Sequence, residues 1–179
     1  MNDLSLPIRG ERVSIRRLEE RDFEDLYALD TDPDVKRYVG GPVQRPRDEC
    51  ISLMRAILGA ETCPLAIVLN EDARYVGRAL LAMTRLTTTS QPLWKIEWEV
   101  QVLIARKYWY QCFGQEVVNE LIRVAFALRE VSSVVAVVDP ENKRSRKLMD
   151  NLGFQYVDQK SSPGSWDDKH LVFRLTKPK

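Results

Sequence analysis

Histidine is nearly absent from this chain: His170 stands alone in 179 residues. A metal site built from several histidines is thereby excluded, and a Ser-His-Asp or Cys-His system has only this one residue to use. Cysteine is scarce too. Cys50, Cys63 and Cys112 are odd in number and widely spaced, with no C-x-x-C pair. That pattern argues against a disulfide framework and against a zinc site, and it suits a reducing compartment. No apolar run approaches the roughly 18 residues a membrane span requires. The opening MNDLSLPIRGERV has no apolar stretch of signal-peptide length. Nor is there an excess of charge: 27 Lys and Arg against 26 Asp and Glu leave a net +1, so no global field draws nucleic acid or an anionic membrane. The expectation is a soluble cytoplasmic protein with no nucleic-acid or membrane partner and no metal.

What is present is ordinary globular material, 44% hydrophobic and 30% charged. The length suffices for one buried core and is short for two, so a single domain over residues 1–179 is expected. Val13 and Ile15 alternate with Arg12, Ser14 and Arg16 in a short strand. Phe23, Leu26, Tyr27 and Leu29 follow at helical spacing, and Asp32-Pro33-Asp34 ends that helix or starts a new turn. Ile51, Met54, Ile57 and Leu58 lie at helical offsets before Gly59, a plausible stop. Residues 65–69 and 74–84 read as strands. From Trp94 to Ile104 the period is two: Trp94, Ile96, Trp98, Val100, Val102 and Ile104 take one face, while Lys95, Glu97, Glu99, Gln101 and Leu103 take the other. Trp94 and Trp98 are read as core. The period then lengthens from Phe113 to Leu128, which is helix. Val134–Val138 is a strand apolar on both faces, a helix follows to Leu152, and Phe154 and Lys169–Leu175 belong to the last two strands. This order implies an α/β or α+β domain on a mixed sheet.

Four segments carry a resemblance. They are ERVSIRRLEERDFEDLYAL at residues 11–29, DPDVKRYVGGP at 32–42, Glu99 to Trp109, and Pro140-Glu141-Asn142 with Ser145 and Leu152-Gly153-Phe154. In this order and spacing the chain resembles the GNAT N-acetyltransferases, in particular the RimJ/RimL-type branch that acetylates ribosomal-protein N-termini. The resemblance implies a GNAT-like mixed, mostly antiparallel central sheet with helices on both faces. It also implies transfer of an acetyl group from acetyl-CoA to a primary amine, by direct attack in a ternary complex. The acceptor would be a protein N-terminus or a small amine, and the protein a monomer or homodimer.

The chemistry sets what such a site must contain. A protonated amine is a poor nucleophile and needs a base, the thioester carbonyl needs polarising, the departing thiolate benefits from a hydroxyl donor, and the diphosphate of CoA suits N–H groups at a helix start. On the resemblance, Tyr110, Gln111, Cys112, Phe113, Gly114 and Gln115 form the diphosphate loop. Val102 and Ile104 lend backbone groups to the pantetheine arm, and Asn142 touches it. Ser145 is the donor to the thiolate, Glu99 the candidate base, and Glu97 the second candidate. Two features depart from that branch. Its loop reads W-G-x-G, whereas Tyr110 and Cys112 stand at the glycine positions here, and Met149 replaces a tyrosine found in some relatives. A β-carbon at Cys112 would crowd a diphosphate. The other reading is therefore an impaired GNAT-like module that binds acyl-CoA or a protein partner without transfer. Nothing in the spacing couples Cys112 to His170 as a nucleophile.

Overall fold

The chain runs through β1 (Ile8–Arg9), β2 (Val13–Arg17), α1 (Phe23–Thr31), α2 (Pro33–Lys36), α3 (Arg47–Ile57), β3 (Leu65–Leu69), β4 (Tyr75–Leu86) and β5 (Lys95–Ile104). It continues through α4 (Phe113–Ala127), β6 (Ser133–Val138), α5 (Lys143–Asn151), β7 (Gln155–Gln159) and β8 (Leu171–Thr176). The computed structural model describes residues 5–60, 63–91, 93 and 95–178. Trp94, expected to open β5 on its core face, lies outside the described residues. The strands form one sheet in the order β1-β2-β3-β4-β5-β6-β8-β7. Pairs β1–β2, β2–β3, β3–β4, β6–β8 and β7–β8 are antiparallel, while β5 and β6 run parallel. The expected mixed, mostly antiparallel sheet is what the structure shows.

The chain divides into two compact units interleaved in sequence. The first holds Met1–Arg37, Gly41–Leu80 and Val102–Glu120. Val13 and Ile15 of β2 are 1% exposed, as their alternation predicts, but Ser14 between them is buried as well and donates to Asn70 Oδ1 at 2.6 Å. Helix α1 buries Phe23, Leu26 and Leu29. Asp32 ends it and opens α2 by accepting N–H bonds from Asp34 and Val35 at 2.9 and 3.3 Å, with Pro33 in the first turn. In α3 the expected apolar face is only partly used: Ile51 and Met54 are half-buried, Ile57 and the following Leu58 are exposed, and the buried residue of the helix is Cys50. Gly59 stops the segment at φ +85°.

The second unit holds Tyr38–Gly40, Leu81–Gln101 and Leu121–Lys179. Its core is β6 against β8, where Val134, Val135 and Val172 are fully buried, with Leu86 packed on Val135 and Val172. Strands β5 and β6 pair in parallel at Trp98 with Val134 and at Glu99 with Val135, and β6 pairs with β8 as far as Val138. The strict alternation read for β5 does not hold. Ile96 is 59% exposed and Trp98 only half-buried, whereas Glu99, placed on the polar side, is buried. Alternation assigns a residue to a side of the sheet, but what covers that side is decided elsewhere. His170, expected within the last strand, precedes it at the turn into Leu171.

Candidate active site

In the first unit the loop before α4 carries the backbone geometry that its side chains do not advertise. Tyr110 and Cys112 have φ of +65° and +62°. The left-handed region costs an L-residue roughly 1–2 kcal/mol, which is why glycine favours it. Left-handed residues interspersed in a turn are a feature of anion-binding nests. The first helical bond of α4 runs from Glu116 N to Cys112 O at 3.2 Å, so the N–H groups of Phe113, Gly114 and Gln115 lie ahead of it. The bulky replacements do not block the loop. Tyr110 is 85% exposed and Cys112 is exposed as well. The residues present therefore fit a diphosphate: the side chains point to solvent and the main-chain hydrogens remain.

Tertiary contacts hold this loop. Trp109 Nε1 donates to the Ile104 carbonyl at 2.7 Å, so that oxygen, expected to serve the cofactor arm, already has a partner. Gln111 Nε2 donates to the Lys107 carbonyl at 3.2 Å. Phe113 is buried and meets Tyr108 edge-on at 5.9 Å. Val102 is half-buried and Gln115 exposed. Gly77 lets β4 pass close to the end of β5: a β-carbon there would lie 2.1 Å from the Leu103 carbonyl oxygen.

In the second unit the two candidate bases separate. Glu97 is committed, since its Oε1 accepts from Arg174 Nη2 at 2.7 Å. Arg174 shares a cross-strand row with Val135 and Glu99, and its long side chain reaches back along that face. Glu99 is 9% exposed, and Gln101 Nε2 donates to its Oε1 at 2.9 Å. Burial pushes the Glu99 carboxyl above its ordinary value, with Asp167 adding to the rise, while Gln101, Lys160 and Thr84 partly offset it. Lys160 and Asp167 form an ion pair, and Ser165 Oγ donates to Asp167 at 2.6 Å. His170 is buried and packs T-shaped against Trp166, with ring centroids 5.3 Å apart. Its Nε2 is 3.7 Å from Asp139 Oδ2, and neither ring nitrogen has a hydrogen-bond partner among the described residues.

Asn142 and Ser145 sit at the start of α5. Asn142 Oδ1 accepts from Ser145 N at 3.0 Å, an N-cap that leaves the amide hydrogens of Asn142 for other work. Ser145 is half-buried, and Met149, at the position of the missing tyrosine, is buried. Gln101 as a donor to Glu99, the Lys160–Asp167 pair and the Arg12–Glu116 pair (Nε to Oε2, 3.0 Å) lie outside the expected set of site residues. Arg12 lies in the segment of residues 11–29 and Glu116 directly follows residues 110–115, so the sequence carried a signal for both. For Lys160 and Asp167 it carried none.

The chain is similar in sequence and in fold to known proteins. Residues 12–155 match the model of an acetyltransferase (GNAT) domain. An uncharacterized N-acetyltransferase, p20, from Bacillus licheniformis is 26% identical over 149 residues, covering 81% of this chain and 80% of that protein. The crystal structure of a GNAT-family acetyltransferase from Bacillus anthracis superimposes with a TM-score of 0.77 at 18% identity, over 96% of this chain and 98% of that one. A spermidine N-acetyltransferase from Vibrio cholerae, solved with CoA and spermine, gives 0.68 at 15% identity, over 91% and 93%. With the family model spanning most of the chain, this protein belongs to the GNAT acetyltransferases.

Proposed function

We propose that this protein is a single-domain N-acetyltransferase of the cytoplasm, a monomer or homodimer, that joins an acetyl group to a primary amine by direct attack in a ternary complex. Bound acetyl-CoA would supply the acetyl group as a thioester. The N–H groups of residues 110–115 would hold its diphosphate, with Val102, Ile104 and Asn142 along the arm. Ser145 Oγ would donate to the sulfur. Glu99 would take the proton of the acceptor ammonium, directly or through one water. Glu97, neutralised by Arg174, would tune the charge of that face rather than accept protons.

The observation that carries this reading is Glu99 itself. A buried carboxyl whose proton affinity is raised above its ordinary value, and which is held by side-chain hydrogen bonds to Gln101 and Thr84, is suited to take a proton from the acceptor. The RimJ/RimL-like segments at residues 11–29 and 32–42 favour a protein N-terminus as acceptor. A small polyamine would equally meet the Glu99 carboxyl, Asp167 being already paired with Lys160.

Isothermal titration with acetyl-CoA, followed by a thiol-release assay on N-terminal peptides, polyamines and aminoglycosides, tests the proposal. Binding in the micromolar range and release with at least one amine are expected. No binding at millimolar acetyl-CoA would leave the impaired-module reading in its place.

A further inference from the structure

The diphosphate loop adopts a backbone that its own residues resist, so something outside it must impose that conformation. Arg12, which immediately precedes β2, is the residue placed to do so. Its Nη1 donates to the Gln111 carbonyl at 2.9 Å, between the two left-handed positions. Its guanidinium carbon lies 4.5 Å from the centre of the Phe113 ring. Arg12 is itself locked. Its Nε donates to Glu116 Oε2 at 3.0 Å, and Glu116 Oε1 accepts the N–H groups of Arg12 at 2.7 Å and Val13 at 3.2 Å. Gly10 makes room for this carboxylate, since a β-carbon there would stand 2.8 Å from Glu116 Oε1.

We infer that Arg12 is a positioning residue for acyl-CoA binding: clamped by Glu116, it holds residues 110–113 in the anion-binding conformation that glycine would otherwise make accessible. The inference rests on the acyl-CoA reading of this loop. The Arg12 side chain is 45% exposed, and exposed ion pairs add little to overall stability. What it adds is direction, because one planar fork bonds the loop carbonyl and the helix carboxylate at once. Lysine carries its three donors on one nitrogen and lacks the two separated donor nitrogens that Arg12 uses here.

The test is CoA affinity by isothermal titration for four proteins: the natural chain, Arg12→Lys, Tyr110→Gly with Cys112→Gly, and all three changes together. Apparent affinity scales with the fraction of molecules whose loop is competent. Arg12→Lys is expected to weaken CoA about tenfold, which is about 1.4 kcal/mol, with the melting temperature nearly unchanged. The glycine pair should bind at least as well as the natural chain, and the triple variant should recover most of the loss. Unchanged affinity in Arg12→Lys overturns the inference. So does a loss that glycines do not restore, because Arg12 would then touch the ligand or act on the whole fold.

Amide hydrogen exchange over residues 109–116, measured without ligand, separates this inference from the reading beneath it. Arg12→Lys and Glu116→Gln should each speed exchange there severalfold, even if the natural chain binds no CoA. Unaltered exchange in both variants refutes the brace.

Discussion

Replacing Glu99 by Gln separates the chemistry of this carboxylate from its structural cost. Gln keeps the shape and an oxygen to accept from Gln101, so the fold is spared. Loss of a general base lowers turnover by about 10²–10⁴, and CoA affinity should not change. The pH profile carries the sharper expectation. In the natural protein the acid limb of kcat/KM should lie above the ordinary carboxylate range, because burial raises the proton affinity of Glu99. That limb should disappear in Glu99→Gln.

Stability should move the other way. A carboxyl that binds its proton more tightly in the folded chain than in the unfolded one, where its pKa is about 4.3, penalises folding when ionised. The penalty is present in full above the raised folded value, shrinks as pH falls through it, and is absent below the unfolded value. Each tenfold difference in proton affinity is worth about 1.4 kcal/mol, and a chain of this size gains about 2–4 °C of melting temperature per kcal/mol. Glu99→Gln should therefore melt higher than the natural protein at pH 7.5 and the same below pH ~4. Turnover and melting curves at three pH values decide the matter. A variant with full activity removes Glu99 as base, and one that melts no higher at pH 7.5 refutes the burial penalty.

Further expectations concern the frame around the site. Asp22→Asn breaks the Arg16–Asp22 bidentate pair (2.7 and 2.8 Å) in which Asp22 is 4% exposed; the cost is about 3–5 kcal/mol, a fall in melting temperature on the order of 10 °C. Gly77→Ala drives a β-carbon into the Leu103 carbonyl, so the end of β5 must shift; stability should drop by about 1–3 kcal/mol and CoA affinity should fall with it, and a variant with normal affinity would show that this close approach does not position the loop. Of the three thiols, Cys112 is exposed and Cys50 and Cys63 are buried, with burial pushing the Cys63 thiol up; an aromatic disulfide reagent should titrate one thiol rapidly in the folded protein, more slowly with CoA present, and three in denaturant. Equal rates for all three would contradict the burial of Cys50 and Cys63.

Local chemistry in the amino-acid order was enough to mark where elements begin and end. Asp32-Pro33 caps a helix because an aspartate oxygen reaches N–H groups two and three residues on. Gly59 and Gly153 stop helices because a left-handed residue is needed there. The apolar period of residues 113–128 and the run at 134–138 sufficed for a helix and a buried strand, since both signals span only a few neighbours. Tertiary structure alone decided which glutamate is tied to an arginine. Glu97 and Glu99 are alike in pattern, and Arg174, 77 residues from Glu97, takes one of them. It also decided that Ile96 faces solvent, and that Tyr110 and Cys112 can occupy glycine's conformation. That last outcome depends on Arg12, whose partner Glu116 is 104 residues away. Charge pairs and braces of this range leave no periodic trace, because they depend on which surfaces the fold brings together and not on the spacing of residues along the chain.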